Sequence, residues 1–294
     1  MSTPQISIIT INYLKMDVTL EFLESTRLLN YPNYEIILVD NGAEEDQSLL
    51  VNKTFPDVQY IRSEINLGFA GANNLGMSHA KGDYFFIVNN DTIVTPDLLN
   101  NLIEPFGADS VLAAVSPKIM YFDNPAIIQF AGFTKVNPIT GRNKMLGNLE
   151  EDNGQHDEVV YSSYAHGAAM LVKRSVVEEV GNFCEDYFMY YEELDWSARM
   201  TKAGYTIKYN PRAVIYHKDS LTIGKSNPLK TYYYIRNRIL FMRRNQPKAL
   251  VIVFFLYMAG IVIPVNLIRY ILKGDFSHIK PFLDGVFWNF KIKK

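Results

Sequence analysis

Two short apolar runs, each stopped by polar side chains, limit the folds open to this chain. Ile36-Ile37-Leu38-Val39 ends on Asp40-Asn41-Gly42, and Phe85-Phe86-Ile87-Val88 ends on Asn89-Asn90-Asp91. Four consecutive apolar residues give a strand no polar face to turn toward water. Each run therefore reads as a strand buried on both sides, in a sheet covered by helices. Open α/β sheets bind ligands at the carboxyl ends of their strands. A carboxylate just past such an end, Asp91, can hold a metal ion over a crevice, with Asn89 beside it to form hydrogen bonds. Two strands delivering acids to one edge suggest a nucleotide with its divalent cation.

The first 120 residues repeat this unit. Residues 6–11, 34–40 and 58–62 read as strands, and Met16, Leu20 and Leu23 share a helix face. A glycine-rich turn leads into a helix over about 71–80, just before the strand at Tyr84. Thr95 as cap and Pro96 in the first turn open a helix that runs to 106. Residues 112–116 form the next strand, and the short connections argue for a parallel, doubly wound sheet. Residues 121–160 break the pattern with Asn, Gly, Pro and acids, and read as a variable, partly mobile connection over the site. Order resumes at 168–172, with helices at 174–180 and 192–203, the latter ended by Gly204. Strands at 205–209 and 213–217 follow, and the rest is helical.

At 294 residues the chain holds one large α/β body plus an appendage. Charge divides it unevenly. From residue 225 onward there are 13 Lys and Arg against 2 acids, whereas residues 1–224 carry 16 bases against 29 acids. An acidic body with a basic, apolar tail suits an anionic membrane surface and argues against nucleic acid. Residues 249–268 are uncharged and would reach roughly 30 Å as a helix, just enough for a hydrocarbon core. Gly260, Pro264 and Asn266 interrupt the run, so we favour a helix lying in the interface over one that spans. Phe282, Phe287, Trp288 and Phe290 among lysines suit the headgroup boundary. One cysteine, Cys184, permits no internal disulfide, and the first residues lack the features of a signal peptide. The body is expected in the cytoplasm.

Several residues admit both a chemical and a structural role. Asp40 either serves a ligand or caps the turn after its strand. Residues 66–76 carry glycines at 68, 71 and 76, and the exposed amides of a helix start would suit a diphosphate or sugar. This is not the dinucleotide spacing, and close packing explains the glycines as well. Glu192, Glu193 and Asp195 start a helix, where acids serve the dipole. Their aromatic neighbours would also desolvate a carboxylate and raise its pKa toward a useful base. His217 ends an apolar strand. It is either structural or, with Asp91 on the same edge, part of a Mn²⁺ or Mg²⁺ shell.

The order Ile6-Ser7-Ile8-Ile9…Asn12-Tyr13, Val39-Asp40-Asn41, Asn66-Leu67-Gly68-Phe69, Asn89-Asn90-Asp91, Gly167-Ala168…Met170, Glu192-Glu193-x-Asp195 and His217 resembles glycosyltransferase family 2. Within that family it is most similar to bacterial rhamnosyltransferase-like and galactofuranosyltransferase-like members. The resemblance spans about residues 5–245. It implies a GT-A fold and inverting transfer of a hexosyl or deoxyhexosyl unit, possibly rhamnose, from a nucleotide-diphosphate sugar. Asp40 would bind the base or ribose, with Thr10, Asn12 and the turn of Asn66 and Gly68 nearby. Asn89-Asn90-Asp91 stands where the family has Asp-x-Asp, which leaves metal binding to Asp91 and His217. Glu193 falls at the general base, usually an aspartate, and Glu192 competes for that role. Asp195 would organise the helix or hold the acceptor. His166, Gly167 and Trp196 would lie near the acceptor, and Arg236 and Arg238 would pair with a donor or acceptor phosphate. The alternative for that arginine segment is a basic helix facing lipid headgroups.

These readings divide the chain into a GT-A catalytic part, 1–224, and a membrane-associating helical extension, 225–294. Within the first, about 1–120 takes the nucleotide sugar and about 160–224 the acceptor. The acceptor is expected to be a lipid-linked or cell-surface polysaccharide precursor at the cytoplasmic face of the bacterial membrane. Two rivals stand beside this reading. One is a non-catalytic membrane scaffold with a degenerate transferase body, suggested by Asn89 and Glu193. The other is a sugar-phosphate nucleotidyltransferase, opposed by Asn12-Tyr13-Leu14-Lys15 where such enzymes carry a glycine- and arginine-rich loop.

Overall fold

Alternation along the central strands explains why helices cover both sides of the sheet. The computed structural model describes residues 3–218 and 227–291. Its first part runs β1 (Ile6–Asn12), α1 (Met16–Thr26), β2 (Tyr34–Asn41), α2 (Ser48–Thr54), β3 (Val58–Ser63), α3 (Gly68–His79) and β4 (Tyr84–Val88). Ile6 and Ile8, Leu38, and Phe86 and Val88 point into one apolar layer with α1 residues Phe22 and Leu23. Ile9, Ile37 and Val39, and Phe85 and Ile87 point into the other, under α3 residues Ala70, Ala72 and Met77. Each strand therefore has two apolar faces, and a helix covers each.

The chain continues with β5 (Thr92–Val94), α4 (Leu98–Ile103), β6 (Leu112–Tyr121), β7 (Ile127–Phe130), β8 (Glu150–Glu151), β9 (Val160–Tyr161) and β10 (Ala169–Lys173). α5 (Arg174–Val180), α6 (Glu192–Lys202) and β11 (Thr206–His217) complete the body. The main sheet has the order β3-β2-β1-β4-β10-β6-β11-β5. β1 to β4 are mutually parallel, as are β6 and β11, while β10 runs antiparallel between β4 and β6. The sheet is mixed and mostly parallel, flanked by helices.

Several expectations need revision. α3 starts at Gly68, three residues early, because a positive φ of 70° at that glycine turns the chain directly into the helix. Thr95 caps nothing: its hydroxyl donates to the Val214 carbonyl at 2.8 Å, and α4 begins only after Asp97. The two expected strands at 205–209 and 213–217 are one strand, β11, with a register shift between Asn210 and Val214 that accommodates Pro211. Residues 121–160 pair with the body through β7 on β6 and β9 on β11, while β8 pairs with β7. α2, which was not expected, buries only Val51 and so carries no helical apolar spacing.

After the body, α7 (Pro228–Asn245) opens on Asn227, whose side chain accepts from the Leu229 amide at 2.8 Å. α8 (Lys248–Tyr257), a wider π turn at Met258–Val262 and α9 (Ile263–Lys273) join into one helix of 26 residues. The wide turn leaves room for Pro264, which would clash with a regular helix interior. The helix is long and apolar enough to cross a membrane, and only 17% of its most apolar window is buried. Phe254, Met258 and Val262, spaced by four, form the stripe that packs against Ile235, Ile239 and Phe241 of α7. Ile252, Leu256, Ile261, Val265, Ile268 and Leu272 remain exposed. α10 (Ile279–Lys291) returns along α7, close enough that a Cβ on Gly285 would sit 2.5 Å from Ile235 Cγ2.

The single packed stripe predicts a sharp contrast. Phe254→Ala should lower the unfolding free energy by about 3–5 kcal/mol. Leu256→Ala, two residues on and exposed, should change it by no more than about 0.5 kcal/mol. Denaturant titration of both variants in detergent checks this, and equal losses would mean the outward face is packed as well.

Candidate functional site

Strand pairing creates the site at the carboxyl edge of the sheet. β5 runs antiparallel to β11 with Thr92 opposite His217. That register brings Asp91, the residue before β5, to the last residue of β11. Asp91 Oδ1 lies 3.1 Å from His217 Nε2, yet the angle makes no hydrogen bond, and this buried oxygen has no other partner. On its far side His217 Nδ1 meets Gln129 Oε1 of β7 at 2.8 Å. With Nδ1 donating to that carbonyl oxygen, Nε2 keeps its lone pair. An unpartnered carboxylate oxygen beside an imidazole lone pair, with the ring held from behind, is a donor set that fits a divalent cation. Asn90 points elsewhere, donating to Thr19 Oγ1 at 2.7 Å.

These residues line a cleft of about 840 Å³. Of the expected residues, Asn66, Gly68, Asn89, Asn90, Asp91, His166, Gly167, Glu192, Glu193 and His217 line it. Asn41, Gln129, Phe133, Asn143 and Lys230 also do so and were not anticipated. Asn41 had a signal, the same strand-end cluster as Asp40. Gln129 and Asn143 had none, since they arrive on the irregular segment 121–160.

The orphaned atoms point to the same place. Six buried side-chain oxygens or nitrogens among the described residues lack a hydrogen-bond partner: Thr10 Oγ1, Asp91 Oδ1, Asn143 Nδ2, Glu192 Oε2, Glu193 Oε2 and Asn289 Oδ1. Asp91, Asn143, Glu192 and Glu193, four of the six, line this cleft. Buried polar groups are normally paired, so four bare ones around one cavity mark a surface made for a polar ligand.

Glu192 and Glu193 start α6, where the helix dipole favours charge. Burial outweighs it. Desolvation, and then the charge of Glu193, push Glu192 well above the ordinary glutamate range, against the pull of its own amide and Arg236. Desolvation raises Glu193 to about 7, opposed by the amides of residues 193, 194 and 191. Near neutral pH Glu192 is therefore protonated while Glu193 exchanges its proton. His166 is lowered to about 3, by burial and then by His217, and is neutral. Its Nδ1 accepts from the Ala168 amide at 3.0 Å, so the proton sits on Nε2.

Other expected residues serve the fold and do not line the cleft. Asp195 is buried and accepts from Tyr187 Oη, Arg199 Nε and Asn245 Nδ2 at 2.8–3.0 Å, and from Arg244 Nε at 3.3 Å. Trp196 is in the core, its indole donating to the Gly181 carbonyl at 2.7 Å. Arg236 gives its guanidinium to the carbonyls of Asp186 and Tyr187 at 2.6 Å. Arg238 binds the Thr140 carbonyl and lines a smaller cavity nearby. Thr10, Asn12 and Asp40 lie beneath the edge: Asn12 Nδ2 donates to Asp40 Oδ1 at 2.8 Å, and the Tyr60 hydroxyl to Oδ2. The first three amides of α3 are already taken. Phe69 and Ala70 donate to the Phe188 carbonyl at 2.6 and 3.2 Å, and Gly68 to Asn66 Oδ1 at 2.8 Å.

That junction tolerates no side chain. A Cβ on Gly68 would sit 2.4 Å from the Phe188 carbonyl oxygen, at a φ that L residues rarely adopt. Gly68→Ala should therefore cost at least about 1–3 kcal/mol, read as a lower melting temperature. An unchanged melting temperature would mean that the junction yields freely.

Comparison with known proteins adds the following. Glycosyl transferase family 2 matches residues 7–181. The N-acetylglucosaminyl-diphospho-decaprenol L-rhamnosyltransferase of Mycobacterium tuberculosis is 25% identical over 244 residues, covering 74% of this chain and 79% of that one. The poly-beta-1,6-N-acetyl-D-glucosamine synthase of Staphylococcus epidermidis is 26% identical over 221 residues, 74% of this chain and 51% of that one. A mannosyltransferase from Pyrobaculum calidifontis, solved with GDP-Man and Mn²⁺, superposes with a TM-score of 0.61 at 15% identity, covering 100% of this chain and 89% of that one. The fold is of the GT-A kind.

Proposed function

The chain belongs to glycosyl transferase family 2, and on that footing we propose that it moves a sugar from a nucleotide-diphosphate donor to a hydroxyl of a lipid-linked or cell-surface polysaccharide precursor, with inversion. Rhamnose is our reading of the sugar, in line with the mycobacterial relative. One observation carries the proposal. The bare carboxylate of Glu193 faces the same cleft as the Asp91 and His217 pair.

The residues divide the work as follows. Glu193, ionised, takes the proton of the acceptor hydroxyl as its oxygen attacks the anomeric carbon. The attack comes opposite the diphosphate, whose bond to that carbon breaks with the electron pair leaving on the nucleotide. One displacement needs one base. Glu192, protonated, donates a hydrogen bond to sugar or acceptor oxygens, and neutral His166 can donate through Nε2. Asp91 and His217 are the residues that would hold Mn²⁺ or Mg²⁺, which when bound would offset negative charge on the leaving diphosphate. Asn41, Asn66 and Asn89 offer polar contacts for the donor. Asp40 acts on that edge through Asn12, and Asp195 positions α6. We assign residues 1–224 to catalysis and 225–294 to membrane association. The long apolar helix would lie in the interface at the cytoplasmic face, its packed stripe toward the body and its exposed stripe toward acyl chains.

Three outcomes are expected. Glu193→Gln should lower kcat by about 10²- to 10⁴-fold while donor affinity survives, whereas Glu192→Gln should cost less. Single-turnover transfer and donor titration on both variants read this, and near-parental turnover in Glu193→Gln would remove it as base. Transfer by the parent should fall about tenfold per pH unit below about 7, since the base must be ionised, and level off above. A profile flat down to pH 5 contradicts that pKa assignment. Asp91→Ala should abolish Mn²⁺-dependent donor binding in calorimetry, and unchanged affinity would overturn the metal assignment. Absence of both donor hydrolysis and transfer in the purified parent would favour the scaffold reading.

A further inference from the structure

A second cavity, about 360 Å³, opens beside the cleft and is lined by cations. Arg142, Lys230, Arg238 and Arg269 face it, against one carboxylate, Asp275. None of the four cations forms an ion pair among the described residues. Arg238 is buried, and its Nε bond of 2.8 Å goes to a neutral carbonyl, that of Thr140. Lys230 rests over the rings of Tyr190 and Tyr234 at 5.9 and 5.8 Å. Burial, with Arg142 adding to it and Tyr191 opposing, holds Arg238 below the ordinary arginine value. Four like charges gathered around a single carboxylate that pairs with none of them are costly, and a bound anion lowers that cost.

Two walls identify the anion. Val262, Asn266, Arg269 and Tyr270 come from the long helix whose other faces expose apolar side chains. Tyr191, Asn227, Lys230 and Tyr234 are shared with the large cleft. The cavity thus lies between an apolar surface suited to acyl chains and the cleft that holds Glu193. A soluble nucleotide has no use for the first wall, whereas a phosphate carried on a lipid meets both. We propose that this cavity binds the phosphate or diphosphate that joins the acceptor glycan to its lipid, an inference that rests on the transferase reading above. The lipid chain would follow the exposed stripe of residues 248–273, and the glycan would pass Tyr191 and Tyr234 into the cleft. Arginine suits the task, since its fork matches phosphate oxygens.

The test uses the full chain and flotation with phosphatidylcholine vesicles carrying either a polyprenyl diphosphate or phosphatidylglycerol at matched charge. Arg142 and Arg269 are exposed, so the double variant Arg142→Ala/Arg269→Ala leaves the packed core intact. The parent should bind the polyprenyl diphosphate vesicles about tenfold more tightly than the phosphatidylglycerol ones. The double variant should lose that preference and keep its phosphatidylglycerol binding, and lysine at both positions should restore part of it. Equal parental binding to both lipids would make the cavity a general headgroup site and overturn the proposal. So would an unchanged preference in the double variant. Calorimetry with a panel of nucleotide-diphosphate sugars and Mn²⁺ runs beside it. Donor affinity should be the same in parent and variant, and a loss confined to the variant would reassign the arginines to the donor. Failure of both proteins to bind any donor would instead count against the transferase reading, while the vesicle comparison still decides the lipid phosphate.

Discussion

The side-chain amide of Asn237 faces the carbonyls of Tyr187, Met189 and Tyr190 at 2.7–2.9 Å, two protons shared among three acceptors. Arg236 beside it holds the carbonyls of Asp186 and Tyr187. Between them they fix a loop in which Phe188, Tyr190 and Tyr191 all take positive φ, 63°, 67° and 73°. Such a backbone costs on the order of 1–3 kcal/mol per residue and persists only where its surroundings over-determine it. The loop leads directly into Glu192 and Glu193, and the Phe188 carbonyl caps the start of α3. A pair of buried residues on α7 thereby sets the position of the carboxylates and closes the other side of the cleft.

Burial has opposite consequences for function and stability at Glu193. Below the ordinary glutamate value of 4.5 the group is neutral both folded and unfolded, and nothing is lost. Between 4.5 and about 7 the unfolded chain has lost a proton that the fold still keeps, so stability falls as pH rises and levels off once both are ionised. The same penalty gives Glu193 a proton affinity near neutrality, which the proposed role as base requires. Glu192, pushed higher still, stays protonated, so two adjacent carboxyls acquire different proton affinities from their surroundings alone.

α7 also ties the cleft to the apolar helix. Its one side carries Ile235 and Ile239, on which Phe254, Met258 and Val262 pack, and its start carries Lys230 and Tyr234. The apolar helix presents one buried stripe to the body, with Phe255, Tyr257, Ile263, Leu267 and Tyr270 half-buried beside it, and leaves its outer face bare. A surface made this way suits a chain that works on substrates held at a membrane, and the cationic cavity lies where the two meet.

Runs such as residues 36–39 and 85–88 declared buried strands because an unbroken apolar run can only be satisfied between two layers. The polar clusters after them mark the strand ends that line the cleft. These local patterns pointed to a doubly wound sheet with Asp91 and His217 on one edge, while the family, the GT-A fold and the place of Glu193 came from the resemblance of the ordered motifs. What the sequence could not carry was the work of contacts between distant segments. The resemblance put Arg236 and Trp196 near a phosphate or acceptor, whereas each gives its polar hydrogens to a carbonyl some 15 to 50 residues away, Gly181 for Trp196 and Tyr187 for Arg236. Gln129 and Asn143 entered the cleft from a segment without periodicity, and the α3 amides were taken by a carbonyl more than a hundred residues onward. The sequence determined which strands are buried and which edge carries the chemistry, because burial follows from local composition. Only the tertiary structure decided which polar groups are left bare at that edge, because hydrogen-bond satisfaction depends on what else arrives there.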